Sequence, residues 1–591
     1  MVAKGRSLRA LLVLCVGVRL CASTASSCTN GAKTFLPCEL TFSYQEGDLP
    51  AGVTAYRDDL LTVEFRSPEH STILMHTFWD GGKDLRVRFS PTTAGAWTYH
   101  VVSEIRRFDN QEASFTVSDS GNAGMVNIAN LRHWRTTNKE PHLWLAAEVP
   151  LSTIDPPILA SWLDERKHDG FTHIRGTLLT GGAAAKPFDA KCEPNLSYFA
   201  ALDERVLAIA ERGFTLDFVL ADRAFVQSGW FRDHDMRDSI VRYLAARYGG
   251  LNVTWEGIER FEETPDSRAL LRDVGQSLKK YDGYHHPRST DARDSASPLL
   301  EDGWMNFLIE AVPDLQFGAV EHQFTQEPEI HVVRATDPNA FRRELWGCTT
   351  NGEYPSISYE SLQNSANVGA VRAWHEILSG TRHWELEPYF DVDGASAVGL
   401  TEVEYLAYAA KPGIVEITLP KHKYNPVWVN PVSGEESPLK DYKGEVFSRP
   451  TPDASHDWVL EVPREGLKQS MRKYYYFASQ DPPVQEVEID TGKIPFEIAD
   501  PGGDEINARV PTPYQVKITR ANRATRRMNY VWWGEVVASG QGARLLGVGP
   551  SGNVTVPKEL VEAGADLNVR LLAINANGKA YELDRVYRLA K

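Results

Sequence analysis

Leu251-Asn-Val-Thr-Trp-Glu-Gly-Ile-Glu-Arg-Phe-Glu-Glu263 is the stretch from which the architecture follows. Its β-branched run, Val253 to Trp255, breaks at Gly257 into the carboxylates Glu256, Glu259, Glu262 and Glu263. A helical pattern ending at Tyr248-Gly-Gly precedes it, and Asp266 to Tyr281 reads as the next helix. A strand between two helices that releases acids from its C-terminal end is how a βα barrel presents reactive groups. Phe317-Gly-Ala-Val-Glu321-His322 reads as a second strand of this kind, also ending on an acid.

Outward from these two, alternating strand and helix patterns extend from about residue 123 to 390. The strand candidates are His142–Glu148, Phe171–Leu178, Phe214–Asp222, the Val253 strand, His286–Thr290, Met305–Ile309, Phe317–Glu321 and Ser356–Tyr359. Near-continuous apolar strands joined by helices mean a parallel sheet covered on both faces, and eight of them fit a closed (β/α)8 TIM barrel. The flanks read as β structure. Residues 26–122 alternate with period two, as in Leu85-Arg-Val-Arg-Phe89 and its partner Ala96-Trp-Thr-Tyr-His-Val101 across the turn Pro91-Thr-Thr-Ala-Gly95, which predicts an antiparallel sandwich. Residues 391–482 and 483–591 read as two further β domains. The expected fold class is therefore multidomain α/β plus all-β.

Composition narrows the function. A net charge of −16 argues against nucleic acid as a partner. Lys4, Arg6 and Arg9, an apolar run Ala10–Val18 and small residues Ala22–Ser27 form an export signal over residues 1–25, and no later stretch reaches membrane-spanning length. A secreted protein is expected. Cys28 and Cys38 are placed to staple the mature N-terminus, while Cys192 and Cys348 are free to pair or stay buried. None has C-x-x-C spacing, and the adjacent His285 and His286, which with Asp222 and Asp291 would be the candidate ligands of a metal-dependent hydrolase, point opposite ways on a strand, so neither cofactor nor metal is expected.

Specific motifs sharpen this. Arg86-Val-Arg-Phe-Ser-Pro and Gly95-Ala-Trp-Thr-Tyr99 resemble the small immunoglobulin-like domain that precedes the barrel of many secreted bacterial glycoside hydrolases. Tyr243-Leu-Ala-Ala-Arg-Tyr-Gly followed by Asn252-Val-Thr-Trp-Glu256 resembles the fourth-strand region of apiosidase-like barrels, which belong to a retaining clan. Asp282-Gly-Tyr-His-His-Pro-Arg-Ser-Thr290 and Phe341-Arg-Arg-Glu-Leu-Trp346 with Asn351-Gly-Glu-Tyr-Pro355 fit the same family. Trp428-Val-Asn-Pro-Val-Ser-Gly-Glu435 and Ser455-His-Asp-Trp-Val-Leu460 resemble a domain family named for collagen binding in collagenases.

The resemblance implies retaining hydrolysis of glycosidic bonds in a polysaccharide by two carboxylates. It places the nucleophile at the end of strand seven, here Glu321, with the acid/base at the end of strand four. That strand departs from the family pattern: Glu259 falls on the family's Asn and Arg260 on its catalytic Glu. Glu259 or Glu262 is then the acid/base. Arg288 and His322 are candidates to hold the nucleophile ionised, and His286, Asp222, Trp304, Glu353 and Tyr354 to line the substrate cleft. For Glu321 the competing role is a salt bridge to Arg288; for the acids after strand four it is a solvated loop capping the next helix. The rival function is a non-catalytic protein that binds carbohydrate or an extracellular-matrix-like, collagen-like protein through a degenerate barrel. Arg260 is the feature that favours it.

Overall fold

The computed structural model describes residues 24–590, apart from 183–185, 229–230, 232, 265–266, 315, 467–488, 491–492, 500–502, 508–509, 541 and 557–565. The expected export signal thus lies outside the described residues up to position 23, as does the expected boundary at 482. Among the described residues no helix is long and apolar enough to cross a membrane.

Eight parallel strands form one sheet, a nearly closed barrel. They are β1 (Ala146–Glu148), β2 (His173–Leu179), β3 (Thr215–Ala221), β4 (Val253–Ile258), β5 (Arg288–Ser289), β6 (Leu308–Glu310), β7 (Glu329–Val333) and β8 (Tyr354–Ile357). They pair in the order β5-β4-β3-β2-β1-β8-β7-β6. The seam between β5 and β6 is held by the amides of Asn306 and Phe307, which donate to the Arg288 carbonyl at 2.9 and 3.4 Å. The covering helices are α1 (Pro156–His168), α2 (Leu196–Glu211), α3 (His234–Tyr248), α4 (Ser267–Tyr281), α5 (Phe317–Phe324), α6 (Pro338–Thr350) and α7 (Ser365–Ser379). Asn195, Asp233 and Asp337 start α2, α3 and α6, their side chains accepting the otherwise orphaned first-turn amides.

Strand seven differs most from expectation. Phe317–Glu321 is the start of helix α5, and strand seven is Glu329–Val333. Phe317 and Val320 lie on one helical face and pack against Trp533 and Leu572 of the last domain, so an apolar docking face passed for a buried strand. The true strand, Glu-Ile-His-Val-Val, is half polar and looks like a surface segment, yet all five residues are buried. Strand eight begins at Tyr354 rather than Ser356, and β5 and β6 are shorter than their patterns.

Residues 24–117 form two four-stranded antiparallel sheets sharing one core, in which Phe65 and Phe89 stack with centroids 3.8 Å apart. Cys28 and Cys38 are bonded, as their spacing led us to expect; Cys192 and Cys348 are free and buried. The alternation in Leu85–Phe89 holds, with Leu85, Val87 and Phe89 in the core. Arg88 points the other way but is not solvated, because that face meets the barrel. It donates to the Arg247 carbonyl of α3 at 2.7 Å and to Glu39 at 3.0 Å. Arg247 in turn pairs with Asp80 at 3.0 Å and Asp203 at 2.9 Å, beneath the ring of Phe78. Residues 387–463 form a second pair of antiparallel sheets, keyed to α6 by the Arg342–Asp457 pair at 2.7 Å and by Trp346 stacked on Tyr408. Residues 496–590 form the last β unit, against α5.

Close approach at the first junction explains Tyr248-Gly-Gly. A Cβ on Gly250 would lie 2.4 Å from the Arg88 carbonyl oxygen, a backbone atom that cannot swing away. Gly250→Ala should destabilise the protein by about 1–3 kcal/mol. Gly369→Ala, on α7 with nothing within 4 Å of its Cβ, should be neutral or stabilise by about 0.5–1 kcal/mol. Melting curves of the two variants beside the parent check both.

Candidate active site

A cavity of about 400 Å³ opens at the C-terminal ends of the barrel strands. The carboxylates Glu148, Glu259, Asp291 and Glu360 and the guanidiniums of Arg175 and Arg334 line it. Glu148 ends β1, Arg175 lies within β2, Glu259 directly follows β4, Asp291 follows β5, Arg334 directly follows β7 and Glu360 follows β8. Six groups from six different strands thus converge because parallel strands end together on one face.

Arg175 organises them. It donates to both oxygens of Glu256 on β4, at 2.6 and 2.5 Å, and to Glu148, and it lies 3.4 Å from Asp291. Burial opposes its charge, but Glu256, Asp291 and Glu148 outweigh burial and keep the guanidinium protonated. Below Glu256, Asp217 on β3 accepts a hydrogen bond from Thr254 at 2.8 Å. Burial first, and then the Glu256 charge, hold Asp217 well above the ordinary carboxylate range, so it stays neutral. Glu259 is only partly buried. Its pKa is raised by that burial first and by the charge of Asp291 next, with Arg175 pulling the other way. The mouth therefore holds one carboxyl group biased to keep its proton beside another held against a cation.

The sequence-predicted residues divide sharply. Glu259 is at the mouth. Asp222 stands beside it, its side chain accepting the amides of Phe225 at 2.7 Å and Gly181 at 3.0 Å, and its charge reaches Glu259. Glu262 does not line the cavity: it is buried in the turn after β4, where it accepts the Arg293 amide at 3.1 and 3.0 Å and so clasps the loop after β5. Glu321, expected on strand seven, lies on α5 outside the barrel wall, hydrogen-bonded to Ser295 at 2.6 Å and to Ser297. It borders a separate cavity of about 280 Å³ against Trp533 and Arg570. Glu321 and Glu259 therefore line different cavities.

The remaining expected cleft residues do not line this cavity. Arg288 donates to the carbonyls of Trp304 and His286, both at 3.0 Å, and His286 pairs with Asp282 at 2.9 Å. His322 pairs with Glu387 at 2.6 Å, and Tyr354 bonds His133 at 2.7 Å. Trp304 is fully buried, its ring filling the space where Gly275 lacks a side chain. Glu353 is buried behind the barrel wall. Arg260 turns out to pair with Glu263 at 2.8 Å in a left-handed backbone conformation, φ 44°. The end of strand seven, where the family places its nucleophile, carries Arg334. Glu148, Arg175, Arg334 and Glu360 were missed and Asp291 was weighed only as a metal ligand, although Glu148 ends a predicted strand and Asp291 directly follows one, the same signal that singled out Glu259.

Known structures share this architecture. A candidate glycoside hydrolase from Bacteroides vulgatus ATCC 8482 is 15% identical with a TM-score of 0.62, over 73% of this chain and 99% of that one. Its fold is that of a glycoside hydrolase-like protein. A protein named glycoside hydrolase (14% identity, TM-score 0.51, 58% of this chain and 97% of that one) and a family 5 glycoside hydrolase from Bacteroides vulgatus ATCC 8482 (14%, 0.50, 58% and 93%) agree. In sequence, residues 32–104 match a domain of unknown function, DUF5060, and no curated protein matches the chain.

Glu262 makes a pH prediction. Burial pushes its pKa up to about 7 from the ordinary 4.5, despite the amides it accepts. The folded state therefore holds this proton more tightly than the unfolded chain, and stability falls as pH rises through that window. Wild type should lose on the order of 3 kcal/mol between pH 4.5 and 7 relative to Glu262→Gln. Denaturant titrations of both proteins across that range measure the difference.

Proposed function

We propose that this protein is an exported glycoside hydrolase that cleaves a glycan at the barrel mouth, with Glu259 as general acid and Asp291, beside Arg175, as the second carboxyl group. The observation that carries the reading is the contrast between these two groups in one cavity. Glu259 has its pKa raised by burial and by Asp291, while Asp291 lies 3.4 Å from the Arg175 guanidinium. Glycosidic cleavage needs that division of labour: a proton for the leaving oxygen, and a charged carboxylate for the sugar carbon or for the attacking water. The stereochemical outcome follows from their separation in the substrate complex, about 5–5.5 Å for retention and 6.5–9.5 Å for inversion. The glycoside hydrolase fold of the neighbours supports the reaction class. The Cys28–Cys38 bond supports an oxidising compartment and hence secretion.

Glycan binding without turnover is the second reading. It is favoured by arginine at both positions where the resembling family has its carboxylates, Arg260 after β4 and Arg334 after β7.

Wild type, Glu259→Gln and Asp291→Asn should be compared on a panel of plant and bacterial polysaccharides and on aryl glycosides, with calorimetry for binding. Glu259→Gln should lower turnover of the natural glycan by about 10²–10⁴-fold yet largely spare an activated aryl glycoside, which needs little protonation. Asp291→Asn should remove turnover of both. Binding with no turnover by wild type establishes the second reading, and full activity in Asp291→Asn removes the first.

A further inference from the structure

A second set of ionisable groups is walled in between β6–β8 and helices α5 and α6, away from the mouth. Glu310 ends β6, His331 lies on β7 and Glu353 directly precedes β8. The strand register sets Glu310 beside His331, on the sheet face turned to α6. From the other side α5 comes so close that a Cβ on Gly318 would lie 2.1 Å from the Glu353 carboxylate. One side-chain ligand atom from each of Glu310, His331 and Glu353 lies within 4.8 Å of the other two. All three residues are at most 4% exposed.

The far atoms of these side chains are already committed. Val312 donates its amide to Glu310 Oε2 at 2.5 Å, and Asn351 donates to Glu353 Oε2 at 3.3 Å. Glu344 of α6 takes His331 Nε2 at 3.1 Å, and is itself held by the amides of Arg334 and Ala335 at 3.0 and 2.8 Å. His331 Nδ1 and Glu310 Oε1 face each other, and Glu353 Oε1 is buried with no N–H or hydroxyl donor among the described residues, the carboxyl group of Glu310 being its side-chain neighbour. An imidazole whose far nitrogen is fixed by a carboxylate, with its near nitrogen turned to further carboxylates, is how a metal-bound histidine is held.

Charge balance points the same way. Glu321 and Glu329 lie alongside, and the fully buried Glu329 meets no N–H or hydroxyl donor among the described residues, its side-chain partner being the carboxyl group of Glu321. Its charged neighbours are Glu321, Glu353 and Glu310. Four carboxyl groups thus share a dry space with one imidazole. A buried carboxylate without a counter-charge costs several kcal/mol, so either protons or a cation must neutralise this cluster.

We propose that Glu310, His331 and Glu353 form a structural site for one divalent transition-metal ion, with Glu344 orienting the histidine. No metal was expected from the sequence, because the three ligands come from separate strands and form no motif. Metal–ligand bonds of about 2.0–2.2 Å put ligand atoms up to about 4.4 Å apart, inside the 4.8 Å that encloses the three here, and His331 Nδ1 and Glu310 Oε1, now in direct contact, would part to admit the ion. One imidazole with two carboxylates suits zinc, with manganese the alternative for so oxygen-rich a set. Walled off from solvent, the ion has no route to a substrate. Its effect is to tie β6, β7 and the turn before β8 together, beside the seam where β6 closes the barrel.

Untagged full-length protein, dialysed against zinc chloride or manganese chloride and then against metal-free buffer, tests this by plasma mass spectrometry and melting curves with and without a chelator. Wild type should retain about one equivalent of one of the two metals and melt at lower temperature once chelated. Glu353→Gln should lose both effects. Glu344→Gln keeps the three ligands and should bind about 10–100-fold more weakly, which covers a Glu353→Gln chain that fails to fold. Wild type that retains neither metal and melts alike with and without chelator overturns the site, as does undiminished metal in Glu353→Gln. In either case the carboxyl groups are neutralised by protons instead.

Discussion

Arg175 is the charge on which the barrel mouth depends. Its N–H groups go to Glu256 and Glu148, and Asp291 sits within ion-pair reach. Three strands thereby end on one guanidinium. The planar fork of arginine can hold two carboxylates in fixed directions at once, which a lysine cannot do. Removing a partner from a buried pair typically costs about 3–5 kcal/mol, so these acids are held in place as firmly as the core itself. The same distribution leaves Glu259 in the cavity without one of those hydrogen bonds, and this is why its environment differs from that of its neighbours.

The β domains leave this mouth open because they dock on the outside of the barrel. Each junction is a helix whose outward face is not polar in the usual sense. On α3 the buried Arg247 is shared among Asp80, Asp203 and the ring of Phe78. On α6 the buried Arg342 reaches Asp457 of the following domain. On α5 the contact is apolar, Phe317 and Val320 against Trp533. Arginine suits the first two because its stem packs against rings while its head satisfies carboxylates across the junction.

These junctions also explain where the sequence was legible and where it was not. Strands β2, β3 and β4 are long, apolar and flanked by helical periods, so their place and order could be read from pattern alone. Residues 85–89 gave the right alternation, but pattern cannot tell an arginine facing water from Arg88 facing a neighbouring domain. Phe317–Glu321 failed for the same reason: a helix that docks a second domain is apolar where a lone barrel helix would be polar. Glu329-Ile-His-Val-Val333 was passed over because it carries a glutamate and a histidine, and the partners that let His331 be buried, Glu310 and Glu344, lie elsewhere in the chain. Of the site, the acid after β4 was legible as an acid leaving a strand. Arg175 was not, since a lone arginine inside an apolar strand carries no signal until its three carboxylates are known.

Arg334 joins the two acid clusters into one problem. Its side chain stands at the mouth where the resembling family has a carboxylate, while its amide holds Glu344, the partner of His331, behind the wall. A carboxylate at the end of β7 would add a fifth acid to a cavity that already contains Glu148, Glu259, Asp291 and Glu360. Like charges so close raise one another's pKa values, and one cation, Arg175, is already divided three ways. An arginine there relieves that repulsion and leaves a guanidinium at the rim, able to meet a hydroxyl or a carboxylate of a bound sugar. Of the four acids at this mouth, Glu259 and Asp291, on the β4 and β5 side of the barrel, are the pair whose charge environments differ through Arg175. Arg334 thus adds a second cation to a cavity lined by four acids.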